Sequence, residues 1–242
     1  MRFAVELLLE NDRVPKDKNR IILSILKNNF NSYNKEYYES LYEKTNNNIK
    51  DFTFSLYMGQ CQFLREEIVI PEKKIILNFS AHNYEDGIMF YNSFLSNIGR
   101  SYPIKDNAIK VSNISMRKEK TIYGNEVIFK TMSPLVAREH RGDNKKTWYH
   151  SLRAEEGQVI LKENISYQLN NVFGERAKLD IEEIDIEVSQ NIKEVKVKNY
   201  GIEILGNIGL LKINAKPYLL DYLYKAGIGS KRSSGFGMVD IV

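Results

Sequence analysis

Residues 2–9 place Phe3, Val5, Leu7 and Leu9 at alternate positions, the period of a strand with one buried face. Pro15 and Asp17 then read as a helix start, and Ile21, Ile22, Ile25 and Leu26 follow at helical spacing. Ser32 or Asn34 caps a second short helix, on which Tyr37, Tyr38, Leu41 and Tyr42 share one stripe. The asparagine run 46–48 ends it, and Phe52, Phe54, Leu56 and Met58 return to strand alternation. Further strands are expected near 62–70 and 73–80, hinged at Pro71, then a helix over 85–98 stopped by Gly99, then a strand near 108–118.

The second half repeats this plan. It reads as a strand near 125–132, a polar loop over 134–151, a helix over 153–172 ended by Gly174, and strands around 178–188, 192–205 and 207–215. A helix from Pro217 to Lys225 and a strand over 236–242 complete it, with Pro217 suited to a first helical turn, where its missing N–H costs nothing. The expected fold is therefore α+β: two tandem ferredoxin-like βαββαβ domains, residues 1–120 and 121–242, related by pattern rather than by residue identity.

Composition narrows the class. The 242 residues suffice for one large or two small domains, and 43% hydrophobic with 27% charged residues excludes a disordered chain. A net charge of +4 and a pI of about 8.9 tilt the balance toward a polyanionic partner. Cys61 is the only cysteine, which excludes an intrachain disulfide and a multi-cysteine zinc site and suits a reducing compartment. Glu6 interrupts the opening apolar run, so it lacks the core of a secretory signal, and no stretch reaches the roughly 20 apolar residues that span a bilayer. A cytoplasmic protein with no membrane partner is expected.

The stretch "GIGSKRSSGFGMV" raises the question of a phosphate. Dinucleotide folds run strand, glycine turn, helix, whereas here the order is helix, glycine loop, strand, and no Gly-Lys-Ser/Thr closes the loop; a nucleotide cofactor is not expected. Gly227, Gly229, Ser230, Lys231, Arg232, Ser233 and Gly235 can form a concave row of N–H groups beside cationic charge. The other reading is a long connection whose glycines only satisfy positive φ.

The Gly-x-Gly-x5-Gly-x-Gly pattern after an apolar helix resembles the signature of the CRISPR-associated repeat-RNA endoribonucleases of the RAMP superfamily. "MRFAVELLLEN", "FTFSLYMG" and "KTMSPLVAREH" are similar to that family's opening strand, second strand and start of the second domain, in the same order. The resemblance implies a metal-independent RNase without cofactor that binds precursor CRISPR RNA and cuts once per repeat. The 2′-hydroxyl attacks the adjacent phosphate and leaves 2′,3′-cyclic phosphate and 5′-hydroxyl ends. Partners implied are the repeat RNA, subunits of a CRISPR effector complex and a second copy of the chain.

Such a cut needs a base, an acid and cations or N–H donors around the phosphorane. Where the family usually has a histidine, before the "FTFS" strand, this chain has Tyr42, with Tyr38 one turn earlier and Lys35 and Lys44 flanking. A phenol titrates near pH 10, so Tyr42 is expected to donate or position rather than to act as base, and activity is expected to be weak; alternatively these tyrosines are core. His140 and His150 bracket the densest cationic stretch, with Arg138, Arg141, Lys145, Lys146 and Arg153 beside Trp148 and Tyr149, and either histidine can supply the base from the second domain. Other readings are a catalytically weak or inactive repeat-RNA binding protein, or a structural RNA-binding subunit of a surveillance complex.

Overall fold

The computed structural model describes residues 1–42, 50–141 and 146–242. The asparagine run 46–48, Lys44 and Lys145 lie outside the described residues.

In the first half, β1 (Arg2–Leu9) and β2 (Arg13–Pro15) precede α1 (Lys18–Tyr33) and α2 (Lys35–Tyr42). Next come β3 (Phe52–Tyr57), β4 (Gln62–Phe63), β5 (Glu67–Val69), β6 (Lys74–Ala81), α3 (Tyr84–Leu95), β7 (Ser101–Ile104) and β8 (Asn107–Met116). Asn34 caps α2, its side-chain oxygen accepting the Tyr37 N–H at 3.0 Å, and Asn83 caps α3 through the Glu85 N–H at 2.8 Å. The main sheet runs β3-β6-β1-β8-β7, with every pair antiparallel. Without the added edge strand β7 this is the ferredoxin order. Phe3, Val5, Leu7, Phe52, Phe54, Leu77 and Phe79 project from one face into a core closed by Ile22, Leu26 and Phe30 of α1 and by Phe90 and Phe94 of α3.

The second half holds β9 (Glu126–Thr131), β10 (Ala137–Arg141), β11 (Lys146–His150), α4 (Glu155–Phe173), α5 (Lys178–Glu182), β12 (Asp185–Val188), β13 (Lys193–Asn199), β14 (Ile202–Ile208), β15 (Leu210–Asn214), α6 (Pro217–Ala226) and β16 (Val239–Ile241). Its sheet order, β12-β15-β9-β16, is the same ferredoxin order again, so the chain is two tandem ferredoxin-like domains. Among the described residues no helix is long and apolar enough to cross a membrane.

Several expectations are corrected. The polar loop expected over 134–151 contains the hairpin β10–β11, paired from Ala137↔His150 to Arg141↔Lys146. Among its described residues only Ala137 is fully buried, so it lacks the one-sided apolar alternation that marks a strand. The strand expected over 178–188 begins as helix α5, because Leu179 is exposed while Ile181 and Ile184 turn inward. The strand expected over 62–70 divides into β4 and β5, and that over 192–205 turns back at Tyr200 and Gly201 as the hairpin β13–β14.

Candidate functional site

The glycine loop between α6 and β16 is the seam between the two sheets. Thr53 of β3 donates its hydroxyl to the Phe236 carbonyl at 2.7 Å, Ser80 of β6 donates to Lys225 at 2.7 Å, and Asn19 of α1 donates to Ser234 and Gly235 at 3.0 and 3.3 Å. Gly235 and Gly237 have φ of 83° and 74°, and a Cβ there would stand 2.5 Å from the Phe54 ring and 2.2 Å from the Ile228 carbonyl oxygen. Close backbone approach is what these glycines provide.

Part of the expected phosphate cradle is used inside the protein. The N–H groups of Gly227, Ser230 and Gly235 bond to the carbonyls of Leu223, Val136 and Arg232, and Gly229 is buried against Val136. Arg232 is 6% exposed; it donates to the Ala226 carbonyl at 3.0 Å and to the Tyr222 hydroxyl at 3.4 Å, and faces the Asp51 carboxylate at 3.6 Å. The Tyr222 hydroxyl donates to the same carboxylate. Arg232 therefore binds the domains together instead of facing outward. Ser230, Lys231, Ser233 and Ser234 are the part-exposed members of the loop.

Lys231 stands beside Arg138, and their like charges act on each other as well as on His140. Burial first, then the Arg138 charge, lowers the Lys231 ammonium below its ordinary range, and burial with both cations does the same to the His140 imidazole. Asn164 of α4 fixes this corner, accepting the Arg138 N–H at 2.8 Å and the Ser230 hydroxyl at 2.9 Å. Among the described residues the buried Nε of Arg138 has no hydrogen-bond partner.

Cross-strand pairing separates the two histidines. Arg138 and His140 oppose Tyr149 and Thr147 on one face of the hairpin, whereas Glu139, Arg141, Lys146, Trp148 and His150 occupy the other. His140 remains exposed, with Thr147 at 3.1 Å from its Nδ1. His150 lies 2.9 Å from Glu139 and 3.9 Å from Glu156, and Arg141 bonds both carboxylates. These three could converge on a metal, but Arg141 already neutralises the acids. Arg153 is tied to the Ile192 carbonyl at 3.0 Å.

On the first domain, the Tyr42 ring stacks on Tyr38 at 5.0 Å, while the ammonium groups of Lys50 and Lys27 lie 4.0 and 4.9 Å from its centroid. Burial pushes the Tyr42 phenol well up, and among the described residues its buried hydroxyl has no hydrogen-bond partner. Both features fit the core alternative for that hydroxyl, and a phenol raised in this way is a poor base near neutral pH. Burial, then the like charge of Lys27, lowers the Lys50 ammonium. Lys35 sits two turns earlier at the exposed start of α2, paired with Glu39 at 3.7 Å. Sequence reasoning missed Lys27 and Lys50. The only signal was Lys50 just ahead of the "FTFS" strand, and the α1–α2 packing that brings Lys27 to it is tertiary.

The chain is thus a duplicated ferredoxin-like fold sealed by a buried glycine loop. Solved structures share it along their whole length: a Cas6-related protein from Pyrococcus furiosus at a TM-score of 0.84, covering 100% of this chain and 98% of that one at 23% identity, and a RAMP protein binding different RNA substrates at 0.83, covering 100% and 99%, also at 23%. The family model described as CRISPR associated protein Cas6, C-terminal, matches residues 117–241, and the chain belongs to the Cas6 family. The CRISPR-associated endoribonuclease Cas6 1 of Methanocaldococcus jannaschii is 28% identical over 250 residues, 99% of this chain and 92% of that protein.

Proposed function

We propose that this chain binds CRISPR repeat RNA and cleaves the precursor within each repeat, without a metal, leaving 2′,3′-cyclic phosphate and 5′-hydroxyl ends. The observation that carries the reading is the Lys27–Tyr42–Lys50 group, two cations converging where the family resemblance expects its histidine. In this scheme the 2′-oxygen forms a bond to phosphorus as the bond to the 5′-oxygen breaks. Lys27 faces the added charge of the phosphorane, and Lys50, its proton loosened by burial and by Lys27, protonates the departing 5′-oxygen. The 2′-hydroxyl proton leaves to water, so rate rests on alignment of the attacking oxygen. Arg138, His140 and Lys231 hold phosphates of the same strand. Of the two second-domain histidines, His140 is the better substitute base, because it is exposed among cations while His150 is occupied by carboxylates.

The second reading is a repeat-RNA binding protein without turnover, favoured by the buried phenol of Tyr42. Incubation with the cognate repeat in excess chelator separates the two. The enzyme yields a 5′-hydroxyl product that a single 2′-deoxy substitution before the cut abolishes, and Lys50→Ala lowers the rate while leaving affinity within a few-fold. Stable binding with no product refutes the cleavage reading.

A further inference from the structure

Beside the amino end of α1 the fold leaves a cavity of about 240 Å³. Ile21 and Ile104 give it apolar walls, Asp17 and Ser24 bring a carboxylate and a hydroxyl, and Arg20 and Lys105 line it as cations. It is smaller than the roughly 300–1,000 Å³ of a pocket for a drug-sized ligand, a size that suits a single nucleobase. Its polar groups are only partly used. Ser24 donates its hydroxyl to the Arg20 carbonyl at 3.1 Å and keeps its lone pairs to accept with. Asp17 accepts the Tyr200 N–H at 3.3 Å, and among the described residues none of Asp17, Arg20 and Lys105 forms an ion pair.

Tyr200 reaches this cavity from the other domain. With Gly201 it makes the two-residue turn of the hairpin β13–β14, at a φ of 50° that suits asparagine or glycine better than a bulky side chain. Its ring faces the Arg20 guanidinium at 5.6 Å, and the residue is 55% exposed. Its phenol also acts on that of Tyr42. Arg20 and Lys27 are two helical turns apart on α1, so they share one face about 10 Å apart. The cavity and the Lys27–Tyr42–Lys50 group thus lie along one side of the same helix, with Tyr200 beside both.

We propose that this cavity takes one unpaired base of the repeat RNA next to the cut, with Tyr200 stacked on the base, Asp17 on its Watson–Crick edge and Arg20 on its phosphate. The assignment rests on the repeat-RNA reading above and adds a base-reading subsite to it. An ionised carboxylate only accepts hydrogen bonds, so it selects a donor edge. Guanine presents its N1–H and 2-amino group side by side, whereas adenine, cytosine and uracil each offer one donor group there, so guanine binds best. Stacking adds affinity for any base, and the Asp17 carboxylate supplies the discrimination.

Fluorescence anisotropy tests this with the cognate repeat carrying a 2′-deoxy nucleotide before the cut, so that no cleavage intervenes. Each nucleotide flanking the cut is replaced in turn by an abasic residue and by the other bases. One position is expected to lose about tenfold or more in affinity when abasic, and to rank guanine first. Tyr200→Ala should cost the intact RNA a similar factor and the abasic RNA nothing further, while Tyr200→Phe keeps the wild-type pattern. Asp17→Asn should erase the guanine preference. Losses from Tyr200→Ala and the abasic residue that simply add overturn the stacking. A flank with no base-dependent position, or a guanine preference that survives Asp17→Asn, overturns the subsite. If the coupling holds but the all-ribose repeat is not cut, the cleavage reading falls and the subsite stands; if that repeat is cut without the coupling, the subsite alone falls.

Discussion

Replacing Arg232 with alanine separates a structural loop from a phosphate-binding one. The guanidinium is 6% exposed and serves three internal groups, the Ala226 carbonyl, the Tyr222 hydroxyl and the Asp51 carboxylate, the last contributed by the other domain. Its removal leaves that carboxylate and the Tyr222 hydroxyl without their buried cation, a change that typically costs about 3–5 kcal/mol. For a chain of this length that corresponds to a melting temperature lower by about 10 °C. Thermal unfolding followed by circular dichroism reads the loss. RNA affinity measured across a salt series, at a temperature where both proteins are folded, should keep its slope. Lys231→Ala should do the opposite: little change in melting, and a salt slope reduced by about one. An Arg232→Ala protein that melts like the wild type but loses salt dependence would show that this arginine faces RNA, and the inward assignment would be wrong.

Tyr42→His should raise the cleavage rate by about tenfold or more with affinity unchanged, because an imidazole can exchange protons near neutral pH where the buried phenol cannot; an unaltered rate removes this site from the chemistry. Gly237→Ala should lower stability by about 1–3 kcal/mol, since φ is 74° and a Cβ would meet the Ile228 carbonyl oxygen at 2.2 Å; urea denaturation at wild-type stability would contradict the packing. His82 packs edge-on against Tyr222 with its Nδ1 unpartnered among the described residues, and burial lowers its folded pKa, outweighing Asp51 and Asp221. The unfolded chain therefore binds the proton more readily, so stability holds above pH about 6.5 and falls as pH drops below it; His82→Phe should flatten that profile in denaturation midpoints taken across pH.

Much of the fold was legible because its elements carry their own signals. Alternation in β1 and β3, the Asn34 cap, the Gly174 stop and Pro217 at the head of α6 are local features, each decided by a few neighbouring residues. The hairpin β10–β11 was not legible, because strands that stand away from a sheet need no one-sided apolar pattern. The glycine loop marked the family, yet its residues suggested a phosphate cradle.

Sequence alone determined the two-domain element order, the basic character of the chain and the family, since periodicity, composition and motif order are written along one dimension. Tertiary structure decided which charges face outward. Lys231 and Arg232 are neighbours in the chain, but the turn through Lys231, at φ 59°, sends one toward Arg138 and the other inward to Asp51. It also set Lys27 and Lys50 on Tyr42 and placed His140 and His150 on opposite faces of one hairpin. The physical reason is that a charged side chain's role follows from the dielectric and the partners around it, and those come from segments far apart in sequence.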